Sequence, residues 1–302
     1  MGFKLRKSEG TGAGARRIAR EEIDEALDLL KDRKAKPDET VHELRKHFKK
    51  IRAVVRLVED ELGDQIASRD NKALRDLGRR LASARDASVR VSALKRLRET
   101  YGKDFPAGLS PIEKRLAGRY RAALGRLRRR PGLAVIRREL DELRKRVRAW
   151  PLRREGFACL EPGLRRVYRR GRKDEALAYA SRTDEALHEW RKRAKDLRYH
   201  VDLLEPVWPE AMKDFEKALH ELTDRLGDDH DFGDLRRALT SSPRLTAGAA
   251  DVTTLIELID RRRSELQSAA RPLGARIYSE KPKAFTRRIE SYWDAWRSCP
   301  AE

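Results

Sequence analysis

The chain has 302 residues, of which 71 are Lys or Arg and 50 are Asp or Glu, giving a net charge of +21. Its 39% hydrophobic residues are enough for a core, while 40% charged residues predict a heavily charged surface. Long stretches of Ala, Leu, Arg and Glu, with 18 Gly and 12 Pro, predict an all-α protein and exclude a strand-rich one. So large a positive charge implies a polyanionic partner, either nucleic acid, acidic membrane or polyphosphate.

Two isolated cysteines, Cys159 and Cys299, are too few for a disulfide framework or a cysteine-based zinc site. The opening residues MGFKLRKSEG lack the apolar core of a secretion signal, and no window approaches 18 apolar residues. We therefore expect a soluble cytoplasmic protein without a membrane partner. Its oligomeric state stays open.

The first half of the chain is predicted to be a series of helices. Residues 1–14 are Gly-rich and predicted to be loose, and a helix follows at 15–30. After a linker at 31–38, Thr40 and Glu43 form a capping-box pattern at the start of a helix that ends near Leu62 and Gly63. The remaining predicted elements are one bent or two consecutive helices over 65–97, a loop at 101–111, and helices at 112–130 and 133–150 separated by Pro131 and Gly132.

Prolines and glycines at 151–163 mark the boundary between two halves, 1–155 and 156–302. Residues 164–177 (LRRVYRRGRKDEAL) echo residues 15–27 (ARRIAREEIDEAL) with one inserted residue, which predicts an internal duplication. The further predicted elements are a second long basic helix, a break at 206–209, helices at 212–226, 252–271 and 282–296, a turn at 227–231 and a loop at 241–250.

The long basic helix occurs twice. Residues 41–58 (VHELRKHFKKIRAVVRLV) align with residues 187–204 (LHEWRKRAKDLRYHVDLL), 146 positions further on, and 8 of the 18 aligned positions are identical. Most of the identical residues are charged, whereas a repeated core helix would mainly repeat its apolar residues. The repetition therefore indicates a function for the charged face.

On a helix of about 100° per residue, the cations of each copy gather within roughly 80° of its histidine, and apolar residues gather on the opposite side. We call these the cationic faces of the two histidine helices; each is roughly 20 Å long. A solvated face is the plain alternative, but solvated faces normally mix charges at i, i+4, and these are nearly all positive. The candidate anion-binding residues are His42, Arg45, Lys46, Lys49, Arg52, Arg56, His188, Arg191, Lys192, Lys195, Arg198 and Tyr199.

The doubled pattern His-x-x-Arg-Lys-x-x-Lys-x-x-Arg resembles that of the CHAD family, the conserved-histidine α-helical domain. Segments 81–89, 226–235 and 273–293 fit the family too, so the resemblance covers roughly residues 10 to 298. It implies two helical bundles, related by a pseudo-twofold axis, around a basic cavity that binds inorganic polyphosphate. Some relatives carry a triphosphate-processing domain in front, but about a dozen residues precede the first predicted helix here, so we expect the stand-alone type.

Seven further cations could line the same cavity or pair with carboxylates at the surface. Several recur in both halves at matching offsets. They are Arg17, Arg20, Arg80, Arg166, Arg169, Arg172 and Arg225. The histidines lie one turn from two cations each, which should favour the neutral imidazole; a purely structural role is the alternative.

No cofactor, metal or catalytic activity is predicted. The segment from Asp228 to Asp231 could suggest a metal site, but the matching segment from Ser83 to Asp86 lacks most of its ligands, so a helix-end turn is favoured. There is no glycine-rich phosphate loop, H-E-x-x-H motif or nucleophile elbow. The sequence thus predicts non-enzymatic polyphosphate binding, with association with polyphosphate granules. Nucleic-acid binding is the alternative, weakened because Tyr199 is the sole aromatic on the cationic faces.

Overall fold

The computed structural model describes residues 2–32, 36–129 and 132–299. Across these residues the chain forms 13 α-helices and no β-strand, which confirms the predicted all-α class. Pro131 and residues 33–35 of the predicted linker lie outside the described residues. The helices are α1 Thr11–Leu29, α2 Pro37–Leu57, α3 Glu59–Leu62, α4 Asp64–Arg80, α5 Ala82–Tyr101, α6 Ser110–Arg129, α7 Gly132–Arg148, α8 Glu161–Ser181, α9 Asp184–Leu203, α10 Pro209–Ser241, α11 Pro243–Thr246, α12 Val252–Ile277 and α13 Pro282–Ser298.

The two histidine helices, α2 and α9, contact each other at the centre of the fold. Helix α2 also packs against α1, α4, α5 and α8, and α9 also packs against α8 and α10. Their predicted apolar faces are buried in one hydrophobic cluster, in which Leu44, Ile51, Trp190 and Leu197 are fully inaccessible to solvent. Each such side chain contributes about 1.5–3 kcal/mol to stability by its burial. This cluster draws on residues from both halves, while the division at residue 155 stays a prediction.

A second, smaller hydrophobic cluster lies beside the first. It joins α5 and α6 to α10, α11 and α12, with Leu97, Ile112, Phe232 and Leu255 among its buried members. Because α5 and α10 belong to this cluster and also contact each other, they are held over the side of α2 and α9 that carries the cations.

The predicted capping box at Thr40 is wrong. Helix α2 already begins at Pro37, and the Thr40 hydroxyl donates to the carbonyl oxygen of Lys36 at 3.1 Å, one turn back. Proline is favoured at the first helical position, which moves the start upstream. In α9 the cap does form, because the hydroxyl oxygen of Thr183 accepts a hydrogen bond from the backbone N–H of Ala186 at 3.3 Å.

The N-terminal segment is packed, contrary to the prediction that residues 1–14 are loose. Phe3 and Leu5 are buried in the main cluster, and the backbone N–H of Leu5 donates to the carbonyl of Leu203 at 3.1 Å. The N–H of Thr11, the first residue of α1, donates to the Glu155 carboxylate at 2.8 Å. Two apolar side chains therefore outweigh the conformational freedom of the glycines around them.

Two predicted helix ends lie inside longer helices. The turn expected at 227–231 belongs to the middle of α10, where the buried Asp229 accepts hydrogen bonds from Arg263 at 3.0 Å and Gln267 at 2.8 Å. Tertiary partners thus satisfy a carboxylate that would otherwise favour a helix end. Helix α12 likewise continues through Pro272 to Ile277.

The α2 and α8 backbones approach each other closely at Gly163, in the first turn of α8. A Cβ atom at this position would overlap the carbonyl of Leu57, at the end of α2. Only glycine allows this crossing, which joins the end of the first histidine helix to the second half of the chain.

We expect Gly163→Ala to lower the free energy of unfolding by about 1–3 kcal/mol, although alanine is intrinsically the better helix former. Urea unfolding followed by circular dichroism measures the change. Gly118→Ala in α6 is the control: a Cβ there meets nothing within 4 Å, so it should be neutral or stabilising by up to about 1 kcal/mol. Equal stability of Gly163→Ala and the wild type would contradict the close crossing.

Candidate functional site

Two adjoining cavities are lined by the cationic faces of both α2 and α9. The large cavity, about 580 Å³, lies among α2, α5, α9 and α10. The small cavity, about 380 Å³, lies between α2 and α9, with one residue of α10 at its edge. The residues that line both cavities are Arg45, Lys49, Arg191, Lys195, Tyr199 and His230. Because four of these six are cations, the shared wall is strongly basic.

All 12 candidate residues of the two cationic faces line at least one cavity. The apolar face of each helix is held in the core, so the opposite face must point toward the space between the helices. The large cavity takes His42, Arg45, Lys46, Lys49, Arg191, Lys195, Arg198 and Tyr199, and the small cavity adds Arg52, Arg56, His188 and Lys192.

None of the seven further cations lines either cavity. Arg17 pairs with Glu9 at 2.6 Å and with Glu21 at 2.8 Å, and Arg166 pairs with Asp60 at 2.7 Å. Arg17 and Arg166 therefore pair with carboxylates, which is the alternative that the sequence left open. Arg225 does the same, because it pairs with Glu221. Arg80, Arg169 and Arg172 are exposed elsewhere, and Arg20 is partly buried.

Sequence reasoning missed six basic residues of the cavities, namely Lys50, Arg193, His220, Arg237, Arg85 on α5 and His230 on α10. Arg85 and His230 occupy matching positions, 145 residues apart, next to the pair Asp86 and Asp231 that the sequence comparison had aligned. That offset was the signal that could have found them.

The two cavities differ in their acidic content. The large cavity is lined by five carboxylates, whereas one, Asp196, lines the small cavity. The five are Asp86, Asp202, Asp224, Asp231 and Asp234. The large cavity is therefore lined by groups of both charges, whereas the lining of the small cavity is predominantly positive.

None of the four cations of the shared wall has an acidic partner among the described residues, and Arg45 donates instead to the backbone carbonyl of Gly78 at 2.6 Å. Among residues 2–32, 36–129 and 132–299, no carboxylate oxygen lies within 4 Å of the side-chain nitrogens of Lys49, Arg191 or Lys195. The Nε of Arg191 is in addition buried without a hydrogen-bond partner.

Other cations of the same faces are paired. Arg56 contacts Asp196 at 2.6 Å, Arg198 contacts Glu216 at 2.6 Å, and Lys46 contacts Glu43 at 3.2 Å. Unpaired positive charge is thus concentrated where the two helices meet, at the wall that both cavities share.

Burial and mutual repulsion act together on these cations. Burial, followed by the charges of Arg191 and Arg198, lowers the pKa of Lys195 to about 7. Burial, followed by the charge of Lys195, holds the pKa of Lys49 well below its usual value. Both effects disfavour the protonated amine, so an anion placed between these residues would favour it again.

The histidines are neutral groups at the edge of this wall. Burial lowers the pKa of His42 and of His188, and neighbouring cations add to the effect, which confirms the direction expected from the sequence. The rings of His188 and His230 stack with centroids 4.5 Å apart, and burial lowers the pKa of His230 to about 4. His188 Nδ1 is buried without a hydrogen-bond partner.

A separate group of metal-ligating side chains lies between α1 and α2. Glu22, Glu25 and His47 bring their ligand atoms within 4.8 Å of one another. However, the Glu22 carboxylate already contacts His47 Nδ1 at 2.6 Å and the amine of Lys50 at 2.7 Å. The charge of this buried carboxylate is therefore balanced by Lys50, which also lines the large cavity.

Fold and cavities together define an all-helical protein with a basic internal site. The family model of the CHAD domain matches residues 17–240, and the chain belongs to this family. A search of the curated proteins gave no match. Among the described residues, no helix combines the length and apolar character needed to cross a membrane.

We expect Lys195→Met to stabilise the fold at pH 6 by about 1–3 kcal/mol, because it removes an unpaired, desolvated cation. The folded-state pKa of about 7 lies below that of an unfolded lysine. The destabilisation caused by the charge of Lys195 is therefore fully present below about pH 7 and is lost as the pH rises toward the ordinary lysine pKa. The stabilisation by Lys195→Met should therefore be smaller at pH 9.5 than at pH 6.

Urea unfolding at both pH values measures this difference. Lys192→Met is the matched control, because Lys192 is 48% exposed and pairs with Glu189, so its removal should change stability by less than about 0.5 kcal/mol. A destabilised Lys195→Met protein at pH 6 would show that favourable contacts hold the amine.

Proposed function

We propose that this protein binds inorganic polyphosphate along the shared wall of the two cavities, without catalysing its turnover. The observation that carries the proposal is the group of unpaired cations, Lys49, Arg191 and Lys195, between two helices whose apolar faces lie in the core. Membership of the CHAD family supports the same ligand. Association with polyphosphate granules would follow from such binding.

A linear phosphate chain suits the arrangement of these cations. It carries charged oxygens at every unit and no bases, so it requires a row of donors rather than a shaped pocket. Arginine offers a planar pair of donors to phosphate and lysine offers a compact charge. The two cationic faces supply both kinds of side chain over roughly 20 Å of helix.

Binding would relieve the repulsion within the ligand-free wall. Beyond burial, the charge of Lys195 lowers the pKa of Lys49, and the charges of Arg191 and Arg198 lower the pKa of Lys195. A phosphate oxygen near both amines favours their charged forms, so we expect proton uptake on binding. The chain would contact mainly the small cavity, since five carboxylates line the large one.

The rival function, nucleic-acid binding, is less compatible with the site. Tyr199 is the aromatic residue that the cationic faces carry. Its ring packs edge-on against the ring of Phe3, with the two centroids 6.1 Å apart. A ring fixed in this way is not free to stack on bases as single-strand binding proteins require. The cavities also lie between helices, where a flexible chain enters more readily than a rigid duplex.

We expect the variant with Lys46, Lys49, Lys192 and Lys195 all changed to Glu to lose at least about 100-fold in polyphosphate affinity. Its helicity should stay intact because the apolar faces are unchanged. Fluorescence anisotropy with end-labelled polyphosphate measures the affinity and circular dichroism the helicity.

The matched control carries the same charge change on exposed lysines outside both cavities, namely Lys95, Lys103, Lys145 and Lys213. This control should lose only a few-fold in polyphosphate affinity, because it weakens the long-range positive potential of the surface without changing the cavities. An equal loss in both variants would mean that the net charge of the surface, and not these cavities, binds the anion.

We expect unlabelled polyphosphate to displace labelled polyphosphate at least about tenfold better, per phosphate, than duplex DNA or RNA at fixed salt. The affinity should fall linearly on a logarithmic plot against salt concentration, as counterions are released. Equal displacement by all three polymers would favour the nucleic-acid alternative or generic polyanion binding. Phosphate release from the polymer, with or without Mg²⁺, would contradict a purely binding role.

A further inference from the structure

Lys49 and Lys195 form a pair of lysines with unusual surroundings. They occupy aligned positions on α2 and α9 and line both cavities, so solvent reaches their amines from either side. Arg45 and Arg191 flank them in the same wall, and no carboxylate within 4 Å holds either amine in the charged state. The more distant Asp224 and Asp231 of α10 oppose these cations only in part.

Such surroundings favour the neutral, nucleophilic form of an amine. A lysine becomes a nucleophile when desolvation or neighbouring cations displace its proton. With a pKa of about 7, Lys195 is deprotonated in roughly half of the molecules at neutral pH, whereas an ordinary lysine is almost entirely protonated. The surrounding arginines would also concentrate small anions at the same place.

We propose that the Lys49–Lys195 pair is an acylation site for small acyl phosphates. An acyl phosphate combines an anionic group, which the arginines attract, with an electrophilic carbonyl carbon, which the neutral amine attacks. The consequence for polyphosphate affinity rests on the function proposed above; the reaction itself does not.

The reaction balances without another reagent. The lone pair of Lys195 Nζ attacks the carbonyl carbon and forms the N–C bond, and the bond from that carbon to the phosphate oxygen breaks. Phosphate leaves with the bonding electrons, and one amine proton passes to phosphate or water. Nothing is oxidised or reduced, and the products are a neutral amide side chain and inorganic phosphate. Arg191, in the same wall, is placed to bind the phosphoryl oxygens.

Lys46 and Lys192 provide internal controls on the same helices. Each is 48% exposed, more than the partly buried Lys49 and Lys195, and each pairs with a glutamate three residues before it. Accessibility alone therefore predicts that Lys46 and Lys192 react first. The proposal predicts the reverse order.

The test is incubation of the full chain with acetyl phosphate at pH 7.5, with initial rates at every lysine from peptide mass spectrometry. We expect Lys49 and Lys195 to be acetylated at least about tenfold faster than Lys46 or Lys192. Equal or faster reaction at the exposed lysines would overturn the proposal. With an uncharged acetylating ester, the preference for Lys49 and Lys195 over Lys46 and Lys192 should be smaller. An undiminished preference would show that the arginines do not attract the reagent through its anionic group.

Binding measurements separate this proposal from the proposed function. Lys195→Gln, which mimics the acylated side chain, should weaken polyphosphate binding about tenfold, whereas Lys195→Arg should bind within about threefold of the wild type. Unselective acetylation of a protein that binds polyphosphate would refute the acylation site alone. Selective acetylation of a protein that binds no polyphosphate would refute the proposed function alone.

Discussion

Repulsion among partly buried cations, held together by the hydrophobic core, is the constraint on which this structure depends. The apolar faces of α2 and α9 are buried completely at Leu44, Ile51, Trp190 and Leu197. A helix that buries one face has no freedom to turn the other away, so Lys49 and Lys195 must share the same wall. Hydrophobic burial of several side chains, each contributing about 1.5–3 kcal/mol, is large enough to offset this repulsion.

Specific contacts between the two histidine helices keep the cationic faces in register. The fully buried His200 donates from Nε2 to the carbonyl oxygen of Ala53 at 2.9 Å, and burial lowers the pKa of this histidine to about 4, so its ring is neutral. Arg56 contacts Asp196 at 2.6 Å on the same side of the contact. These bonds satisfy polar groups that the α2–α9 contact would otherwise leave buried without partners.

The sequence predicts the central helices well because one periodic pattern determines both their packing and their chemistry. Leu44 and Lys49 could each be placed on the correct face from helical angles alone. Helical angles alone do not place Arg85 and His230 at the cavity, because α5 and α10 carry charges of both signs there. Which of these charges faces the cavity depends on how α5 and α10 pack over α2 and α9.

Two of the wrong predictions, the turn at 227–231 and the loose N-terminal segment, share a physical cause, namely that tertiary contacts overrode local preferences. Asp229 favours a helix end by itself, but Arg263 and Gln267 satisfy its carboxylate inside α10. Phe3 and Leu5 lie in a segment whose glycines suggest freedom, yet the core orders it. No local pattern identifies these distant partners.

The acidic residues of the large cavity limit how strongly the shared wall can attract an anion. Burial, followed by the charge of Glu216, raises the pKa of Asp202 to about 6, and burial also raises the pKa of Asp86. At neutral pH the Asp202 carboxylate is charged and reduces the field of the arginines, so the ligand-free protein is less strained. Below about pH 6 Asp202 becomes neutral, and the large cavity grows more positive at the same pH at which Lys195 is fully protonated. Protonation of Lys195 favours a bound anion but lowers the stability of the empty site, whereas protonation of Asp202, whose pKa is raised by burial, favours the anion and stabilises the fold, so affinity and stability are opposed at the lysine and not at the carboxylate.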